Sequence, residues 1–387
     1  MSIHQFSKKL LQKSVFPRLQ DYLLWQVRGG KAPEFAPISI NLDLTTACNF
    51  QCPHCIDGEI INTGKTLDLN YVKTLIRAWA KKGLKSVILI GGGEPVLYPY
   101  FEEVVKFLKG LSLQVGIVSN GTNMKKIENI CNFLDKRDWV RLSLDAGTNE
   151  TFQKIHRPRM NINLDGVMAQ VKKMRQKNSD FQMGFSFLII GDRKKVNGIN
   201  LTNNIKEIVP SAKLAKENGF NYLSLKPFIS PEGERSTTIS KANLAKIRQE
   251  IKKAKTLEDK NFKVIESINL LCFYDKDLKK AMQKQPQICH AQFFRSVVIP
   301  AGVYGCSLWR GFQSTKISES NQKITKDYYR KLYQNRGKLT KRFDAQKNCQ
   351  SVSCLYAPLN CWVEDLIRSP QKIKALKSIA DLPDFFF

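Results

Sequence analysis

The sequence predicts an α/β fold: a partial, TIM-like (β/α)6 barrel followed by a small, cysteine-rich α+β domain. Short apolar segments alternate six times with amphipathic helical segments between residues 38 and 256, which is typical of a parallel sheet covered by helices. Six repeats are too few to close an eight-stranded barrel, so the predicted barrel is open. Residues 286–387 break this alternation and hold five of the ten cysteines.

The predicted strands are short, apolar and rich in branched residues. In chain order they are 38–44, 86–90, 114–118, 139–144, 183–190 and 221–225. The predicted helices repeat apolar residues every three or four positions, and the first two end at glycine. They cover 69–83, 100–110, 123–134, 164–174, a segment that opens near Pro210, and 240–256.

Small polar residues, glycines and cysteines follow four successive predicted strands. In parallel α/β barrels the C-terminal ends of the strands meet at one rim, and the chemistry is placed there. Glycine at such a rim lets a ligand approach the backbone closely. The residues at the four strand ends are Cys48, Cys52 and Cys55; Gly92, Gly93 and Glu94; Ser119 and Asn120; and Ser143 and Asp145.

The stretch CNFQCPHC (48–55) offers three thiolates, one fewer than a closed tetrahedral metal site needs. Two readings are open. Either a fourth ligand comes from elsewhere in the chain and completes a structural site, or the fourth position is kept for a small molecule.

The motif Cys48-x3-Cys52-x2-Cys55, followed after the next strand by Gly92-Gly93-Glu94-Pro95, resembles the radical S-adenosylmethionine (radical SAM) enzymes over residues 38–228. The resemblance implies that the three cysteines hold a [4Fe-4S] cluster whose fourth iron binds S-adenosylmethionine. It also implies reductive cleavage of S-adenosylmethionine to a 5′-deoxyadenosyl radical, which abstracts hydrogen from a substrate. The cofactor carries this chemistry and the protein orients it.

The same resemblance implies roles for further residues around S-adenosylmethionine. Gly92, Gly93 and Glu94 would line the methionine amino group. Ser119 and Asn120 would contact the methionine or ribose portion, with Ser143 and Asp145 at the next strand end. His54 would lie near the adenine and Arg157 near the carboxylate. Asn120 and Asp145 are equally typical of turns and helix caps, and His54 of a packing residue.

The remaining cysteines form two groups. Cys131 and Cys272 lie in apolar stretches and are predicted to be core residues. The segments 293–299 and 303–306 are predicted to form a hairpin, and the region resembles the auxiliary-cluster domains called SPASM and twitch. That resemblance implies one auxiliary [4Fe-4S] cluster held by four of five residues: Cys289, Cys306, Cys349, Cys354 and Cys361. A zinc site is the main alternative, because four thiolates suit zinc equally well.

These predictions divide the chain into four parts. They are an N-terminal helical extension (1–36), the partial barrel (37–228), a helical linker (229–285) and the SPASM/twitch-like domain (286–387). The extension lacks a continuous apolar signal sequence, and no segment is apolar enough to span a bilayer, so we expect a cytoplasmic protein.

The net charge is +28, from 62 Lys and Arg against 34 Asp and Glu. The basic residues are spread along the chain, which favours a solvated surface over a nucleic-acid site. The segment 328–342 mixes tyrosines with cations and fits either base stacking or an amphipathic helix. Expected partners are a reductant such as flavodoxin or ferredoxin and a peptide, sugar or nucleotide substrate. The alternative function is a non-catalytic iron–sulfur or zinc protein that binds nucleic acid through its basic surface.

Overall fold

The structure is a computed structural model that describes residues 5–192, 195–196, 198–229, 239–349 and 352–387. Residues 230–238, at the start of the predicted linker, lie outside the described residues. The strands, in chain order, are β1 (Ser39–Leu42), β2 (Ser86–Leu89), β3 (Gln114–Ser119), β4 (Trp139–Ser143), β5 (Gln182–Ile189), β6 (Lys195–Val196), β7 (Ile199–Asn200), β8 (Tyr222–Pro227), β9 (Lys263–Glu266), β10 (Arg295–Ile299), β11 (Gly302–Tyr304) and β12 (Lys316–Ser318).

Ten of these strands form one sheet in the order β12-β11-β10-β1-β2-β3-β4-β5-β8-β9. All neighbours from β10 to β9 in this order are parallel, and β11 and β12 extend the other edge antiparallel. The strands β6 and β7 form a separate small hairpin. The predicted α/β fold with a large parallel sheet is therefore confirmed.

The structure describes sixteen α-helices, some of which pack directly on strands of this sheet and others on neighbouring helices. They are α1 (Phe6–Leu11), α2 (Phe16–Arg28), α3 (Leu69–Lys81), α4 (Phe101–Gly110), α5 (Met124–Ile130), α6 (Asn149–His156), α7 (Leu164–Lys177), α8 (Ile208–Glu217), α9 (Lys241–Lys255), α10 (Ile268–Leu271), α11 (Lys276–Gln283), α12 (Ala291–Phe294), α13 (Lys326–Arg342), α14 (Ala345–Asn348), α15 (Ala357–Arg368) and α16 (Pro370–Ala375).

Helix α3 shows how the local sequence sets these elements. The Asp68 carboxylate caps its first turn by accepting a hydrogen bond from the Tyr71 amide at 2.7 Å. Gly83, with φ of +100°, turns the chain after the last turn. The apolar face between these ends, which includes Trp79, packs into the main core. Side chains of the parallel strands, such as Ile40 of β1 and Phe185 of β5, supply another part of that core.

The six predicted strands and the six predicted helices of the barrel are all present, with ends that differ by a few residues. Two features of the sheet were not predicted. Strand β9 lies within the segment expected to be a helical linker, and β10 of the cysteine-rich region pairs directly with β1, Ser39 opposite Arg295. The predicted hairpin is present as β10 and β11. The boundaries between the four predicted parts stay predictions.

The tyrosines of segment 328–342 pack against the barrel. The segment lies in α13, where the Tyr328 hydroxyl is 2.8 Å from the Tyr71 hydroxyl and Tyr333 is buried. The amphipathic-helix interpretation is thus confirmed for this segment. Cys131 and Cys272 are buried, as predicted. No helix in the described ranges has the length and apolar character to cross a bilayer.

Candidate functional site

The loop that leaves β1 carries Cys48, Cys52 and Cys55, which we call the cysteine trio. All three thiols are partly buried. The Cys48 amide donates a hydrogen bond to the side-chain oxygen of Asn62 at 2.8 Å, and the Cys55 amide donates to the Cys52 carbonyl at 3.1 Å. The loop is therefore folded around the trio by its own hydrogen bonds.

The trio is electrostatically unusual. Burial raises the pKa of each thiol, to about 11 for Cys55 and well above the ordinary value for Cys52. Neighbouring thiols contribute to this rise in pKa. Cys55 and Cys48 raise the pKa of Cys52, and Cys48 raises the pKa of Cys55. Three thiolates this close together require a cation between them, which is what a metal centre provides.

Two imidazoles and a carboxylate lie beside the trio. The Nδ1 atom of His156 is 3.3 Å from the Cys52 Sγ, while its Nε2 is 2.8 Å from the Leu144 carbonyl oxygen. Burial lowers the pKa of His156 to about 4, so the ring is neutral. A neutral ring that donates from Nε2 leaves Nδ1 free to accept from the Cys52 thiol. The ligand atoms of Cys52, His54 and His156 all lie within 4.8 Å of one another.

Asp145 joins the two imidazoles. Its Oδ2 atom is 3.6 Å from the Nε2 atoms of both His54 and His156, and its Oδ1 accepts from the Leu188 amide at 2.6 Å. Burial opposes ionisation of this carboxyl, but the histidines hold its pKa below the ordinary value. Asp145 also has a positive φ of 53°, in the left-handed region that aspartate tolerates better than most residues.

Glu94 lies at the end of β2 and binds the end of β3. Its carboxylate accepts from the Ser119 hydroxyl at 2.8 Å and from the Asn120 amide at 2.7 Å. Its own amide donates to the Ala47 carbonyl at 2.7 Å, directly before Cys48. Burial raises the pKa of Glu94 to about 7, against the effect of these hydrogen bonds. The residue therefore connects three consecutive strand ends.

The glycines before Glu94 allow this close packing. A Cβ atom on Gly93 would lie 2.7 Å from the Ala47 carbonyl oxygen, so only glycine fits there. The Gly92 amide donates to the Asp43 carboxylate at 3.1 Å. Burial raises the pKa of Asp43 to about 7, although the nearby Arg310 guanidinium opposes that shift.

The remaining predicted cofactor-contact residues surround the same rim. Asn120 Nδ2 donates to the Asn49 side-chain oxygen at 2.9 Å, inside the trio loop. Ser143 ends β4 opposite Ser186 on β5. Arg157 is exposed in a left-handed conformation, and its carbonyl accepts from the Gln51 amide at 3.2 Å. These residues thus lie at strand ends or against the trio loop; their contacts with S-adenosylmethionine stay predictions.

Four of the five tail cysteines come together, and we call Cys289, Cys306, Cys349 and Cys354 the cysteine quartet. Cys289 has Cys306 and Cys349 among its charged neighbours, and Cys354 has all three of the others. Burial raises the pKa of Cys289 to about 12. The Asn360 amide donates to Cys289 Sγ at 3.6 Å.

Cys361 lies apart from the quartet. Its Sγ is 3.5 Å from the Lys284 carbonyl oxygen, and its charged neighbours are Lys284 and Glu364 rather than thiols. Two polar side chains lie against the quartet, the Gln292 amide at Cys289 and the Trp309 indole at Cys349, and hydrogen bonding to them lowers the pKa of these thiols against the larger effect of burial.

Arg310 connects the two cysteine groups. It lies four residues after Cys306 and donates through Nε to an Asp57 carboxylate oxygen at 3.1 Å, with a second bond from Nη2. Its Nη1 is 3.6 Å from Asp43 Oδ2. Sequence reasoning missed Arg310 and His156. His156 directly precedes Arg157, which the resemblance had singled out, and this position could have pointed to it. Nothing in the local sequence marks Arg310.

The chain is similar in sequence to known proteins. Residues 42–226 match the sequence model of the radical SAM superfamily. An S-adenosylmethionine-dependent nucleotide dehydratase of Thermoplasmatales archaeon (strain ISO4-H5) is 30% identical over 113 residues, which are 28% of this chain and 38% of that protein. A protein of the same name from Flammeovirga pacifica is 25% identical over 198 residues, 49% of this chain and 63% of that one. The chain thus spans less than two thirds of either relative.

A solved structure shares the fold. The crystal structure of Streptococcus suis SuiB bound to precursor peptide SuiA superposes with a TM-score of 0.58 at 15% identity, over 92% of this chain and 76% of that chain. The coverage extends beyond the barrel, so the cysteine-rich region is included in the shared architecture.

Proposed function

We propose that this protein is an enzyme that cleaves S-adenosylmethionine reductively and removes a hydrogen atom from a substrate, because residues 42–226 match the sequence model of the radical SAM superfamily. The observation that carries the proposal is the cysteine trio at the C-terminal rim of a parallel sheet, next to the strand end that Glu94 holds.

The residues of the trio fit a [4Fe-4S] cluster. Their raised pKa values mean that thiolates form there only with a compensating cation, and His54 Nδ1 is buried without a partner among the described residues. Three thiolates would hold three irons and leave one iron for S-adenosylmethionine. When bound, the cluster supplies the electron that cleaves the sulfonium and yields a 5′-deoxyadenosyl radical.

The protein's own part is to bind and orient. Gly92, Gly93 and Glu94 would present backbone groups to the methionine amino group, with Glu94 fixing Ser119 and Asn120 at the neighbouring strand end. Asp145 would hold His54 in place beside the cluster. Ser143 and Arg157 complete the proposed set of cofactor contacts.

We assign an auxiliary [4Fe-4S] cluster to the quartet and exclude Cys361 from it. In a tetrahedral zinc site four thiolate sulfurs lie roughly 3.8 Å apart. Among the described residues, the one group of three or more ligand atoms within 4.8 Å is that of Cys52, His54 and His156, and no tail cysteine belongs to it. No three sulfur atoms of the quartet therefore lie within 4.8 Å of one another, and this wider spacing favours a cluster over zinc. The Gln292 amide and the Trp309 indole, which lie against Cys289 and Cys349, would donate to cluster sulfur.

The substrate is proposed at the level of class. The relatives named above include nucleotide dehydratases, and the solved neighbour is bound to a precursor peptide, so a nucleotide or a peptide are the two candidates. A low-potential reductant, flavodoxin or ferredoxin, is the expected electron source, because the cluster must be reduced before each turnover.

The test is anaerobic reconstitution with iron and sulfide, followed by dithionite and S-adenosylmethionine. We expect 5′-deoxyadenosine, measured by liquid chromatography, from the wild-type protein and from Cys361→Ala, and none from Cys52→Ala. An iron-loaded wild-type protein that forms no 5′-deoxyadenosine would show that the proposed activity is wrong.

A further inference from the structure

The inner face of the sheet, opposite the helix-covered face, carries two cations. Arg141 lies on β4 opposite Gly184 of β5, and Lys226 lies on β8 opposite Leu188 of β5. Because side chains alternate along a strand, residues 184 and 188 point to the same face, and Arg141 and Lys226 therefore do so too. Outward-facing neighbours such as Leu142 belong to the helix-packed core instead.

A row of three serines separates the two cations. Ser143 of β4 is opposite Ser186 of β5, which is opposite Ser224 of β8. Arg141 lies two residues before Ser143 on β4, and Lys226 lies two residues after Ser224 on β8. The two cations therefore flank the serines on the same face of the sheet. The Lys226 Nζ is 3.5 Å from the Ser186 hydroxyl. Two positive charges and three hydroxyl groups thus converge on one patch.

Neither cation has a carboxylate partner within 4.0 Å among the described residues, and Arg141 Nε is buried without a hydrogen bond in that part of the chain. Burial and the charge of Arg141 together lower the pKa of Lys226 to about 7. Asp145 is the acid among the charged neighbours of Lys226, but the Leu188 amide and the two imidazoles already engage it.

The arrangement also has a fixed geometry. The Arg141 guanidinium lies 5.3 Å from the centre of the Trp139 ring, which orients it. The C-terminal segment covers the far end of the inner face, where the Phe386 ring packs 5.5 Å from Trp139 and Ser86 donates to the Phe385 carbonyl. The cysteine trio lies at the other end, through which a ligand reaches the serines.

We propose that Arg141, Lys226, Ser186 and Ser224 bind a phosphate group of the substrate, on the sheet face next to the site of hydrogen abstraction, while Ser143 at the edge of the row remains a proposed cofactor contact. The inference rests on the proposed function and narrows its substrate to a phosphorylated small molecule. A phosphate monoester carries close to two negative charges near neutral pH and several acceptor oxygens, which match the two cations and the hydroxyls of Ser186 and Ser224. A single carboxylate would neutralise one cation and leave the other unpaired.

The experiment uses the reconstituted full chain with S-adenosylmethionine and measures binding of inorganic phosphate by ³¹P NMR line broadening. We expect Arg141→Gln and Lys226→Gln each to weaken phosphate binding at least about tenfold, the loss of one charge-assisted contact. The matched control is Lys172→Gln, which removes an exposed lysine on α7. Arg141→Lys, which keeps the charge, should retain part of the binding and shows that the loss does not come from misfolding.

Three outcomes would overturn the site: no binding of phosphate to the wild type, equal binding by wild type and both glutamine variants, or acetate binding as tightly as phosphate and being lost in the same variants. Formation of 5′-deoxyadenosine by the wild type is followed in the same samples. If the wild type forms 5′-deoxyadenosine but binds no phosphate, only the proposed phosphate site is wrong. If it forms no 5′-deoxyadenosine, the result counts against the proposed function itself.

Discussion

The cysteine trio and the cysteine quartet are joined by one loop, residues 306–312, but their surroundings differ. Ionisable groups surround the trio: His54, His156, Asp145 and the Arg310–Asp57 pair. Neutral side chains surround the quartet, chiefly the amides of Gln292 and Asn360 and the Trp309 indole. The number of cysteines differs as well, three against four.

These differences indicate different tasks. A site that exchanges a charged ligand needs one open coordination position and polar groups that recognise the ligand. A site that only passes electrons or braces a domain is more stable with a complete ligand set in a dry environment. The trio fits the first description and the quartet fits the second.

The largest effect is expected when the trio is removed altogether. Replacing Cys48, Cys52 and Cys55 by Ala should abolish 5′-deoxyadenosine formation and lower the iron content from about eight to about four per chain. The quartet lies on other elements and should keep its cluster. Iron analysis and electron paramagnetic resonance of the reduced triple variant measure both results. Zinc, or no metal, in that variant would contradict the auxiliary cluster and leave the barrel assignment intact.

A sharper comparison is available inside the tail. Cys354→Ala should remove the auxiliary cluster and about four irons, because it deletes one of four ligands. Cys361→Ala is the matched control, a cysteine in the same region whose neighbours are Lys284 and Glu364. Iron content and the visible absorption spectrum of both variants show which of the two cysteines is a cluster ligand. Loss of iron in Cys361→Ala with retention in Cys354→Ala would show that the assigned ligand set is wrong.

Local patterns made most of the fold and the trio predictable from sequence. Each barrel strand is a short apolar run, and the trio, Glu94, Ser119 and Asp145 follow strand ends, where the parallel arrangement gathers them. The position of β10 beside β1 was not predictable in this way, because Ser39 and Arg295 are distant in sequence and nothing local encodes their pairing.

The choice among the tail cysteines was also beyond the sequence. Cys361 and Asn360 are consecutive residues of α15, and successive helical side chains point about 100° apart. Because buried Asn360 faces Cys289, Cys361 points elsewhere. Only the packing of α15 decides which of the two residues reaches the quartet, and spacing along the chain carries no sign of it.

The smallest effect we expect concerns the loop that joins the two cysteine groups. Arg310 is largely buried and makes a two-bond contact with Asp57, so Arg310→Gln leaves two buried carboxylates, Asp43 and Asp57, without their cation. We expect a loss of about 2 kcal/mol in the free energy of unfolding. The control is Arg330→Gln, which removes an exposed pair with Asp327 and should cost about 0.4 kcal/mol.

Denaturant unfolding of the two variants in the metal-loaded state measures this difference. The Arg310 variant should also lose S-adenosylmethionine affinity, because Asp43 receives the Gly92 amide and Asp57 lies two residues from Cys55. Equal stabilities of the two variants would show that the loop does not brace the trio. In that case the two cysteine groups share a sheet without being mechanically connected through Arg310.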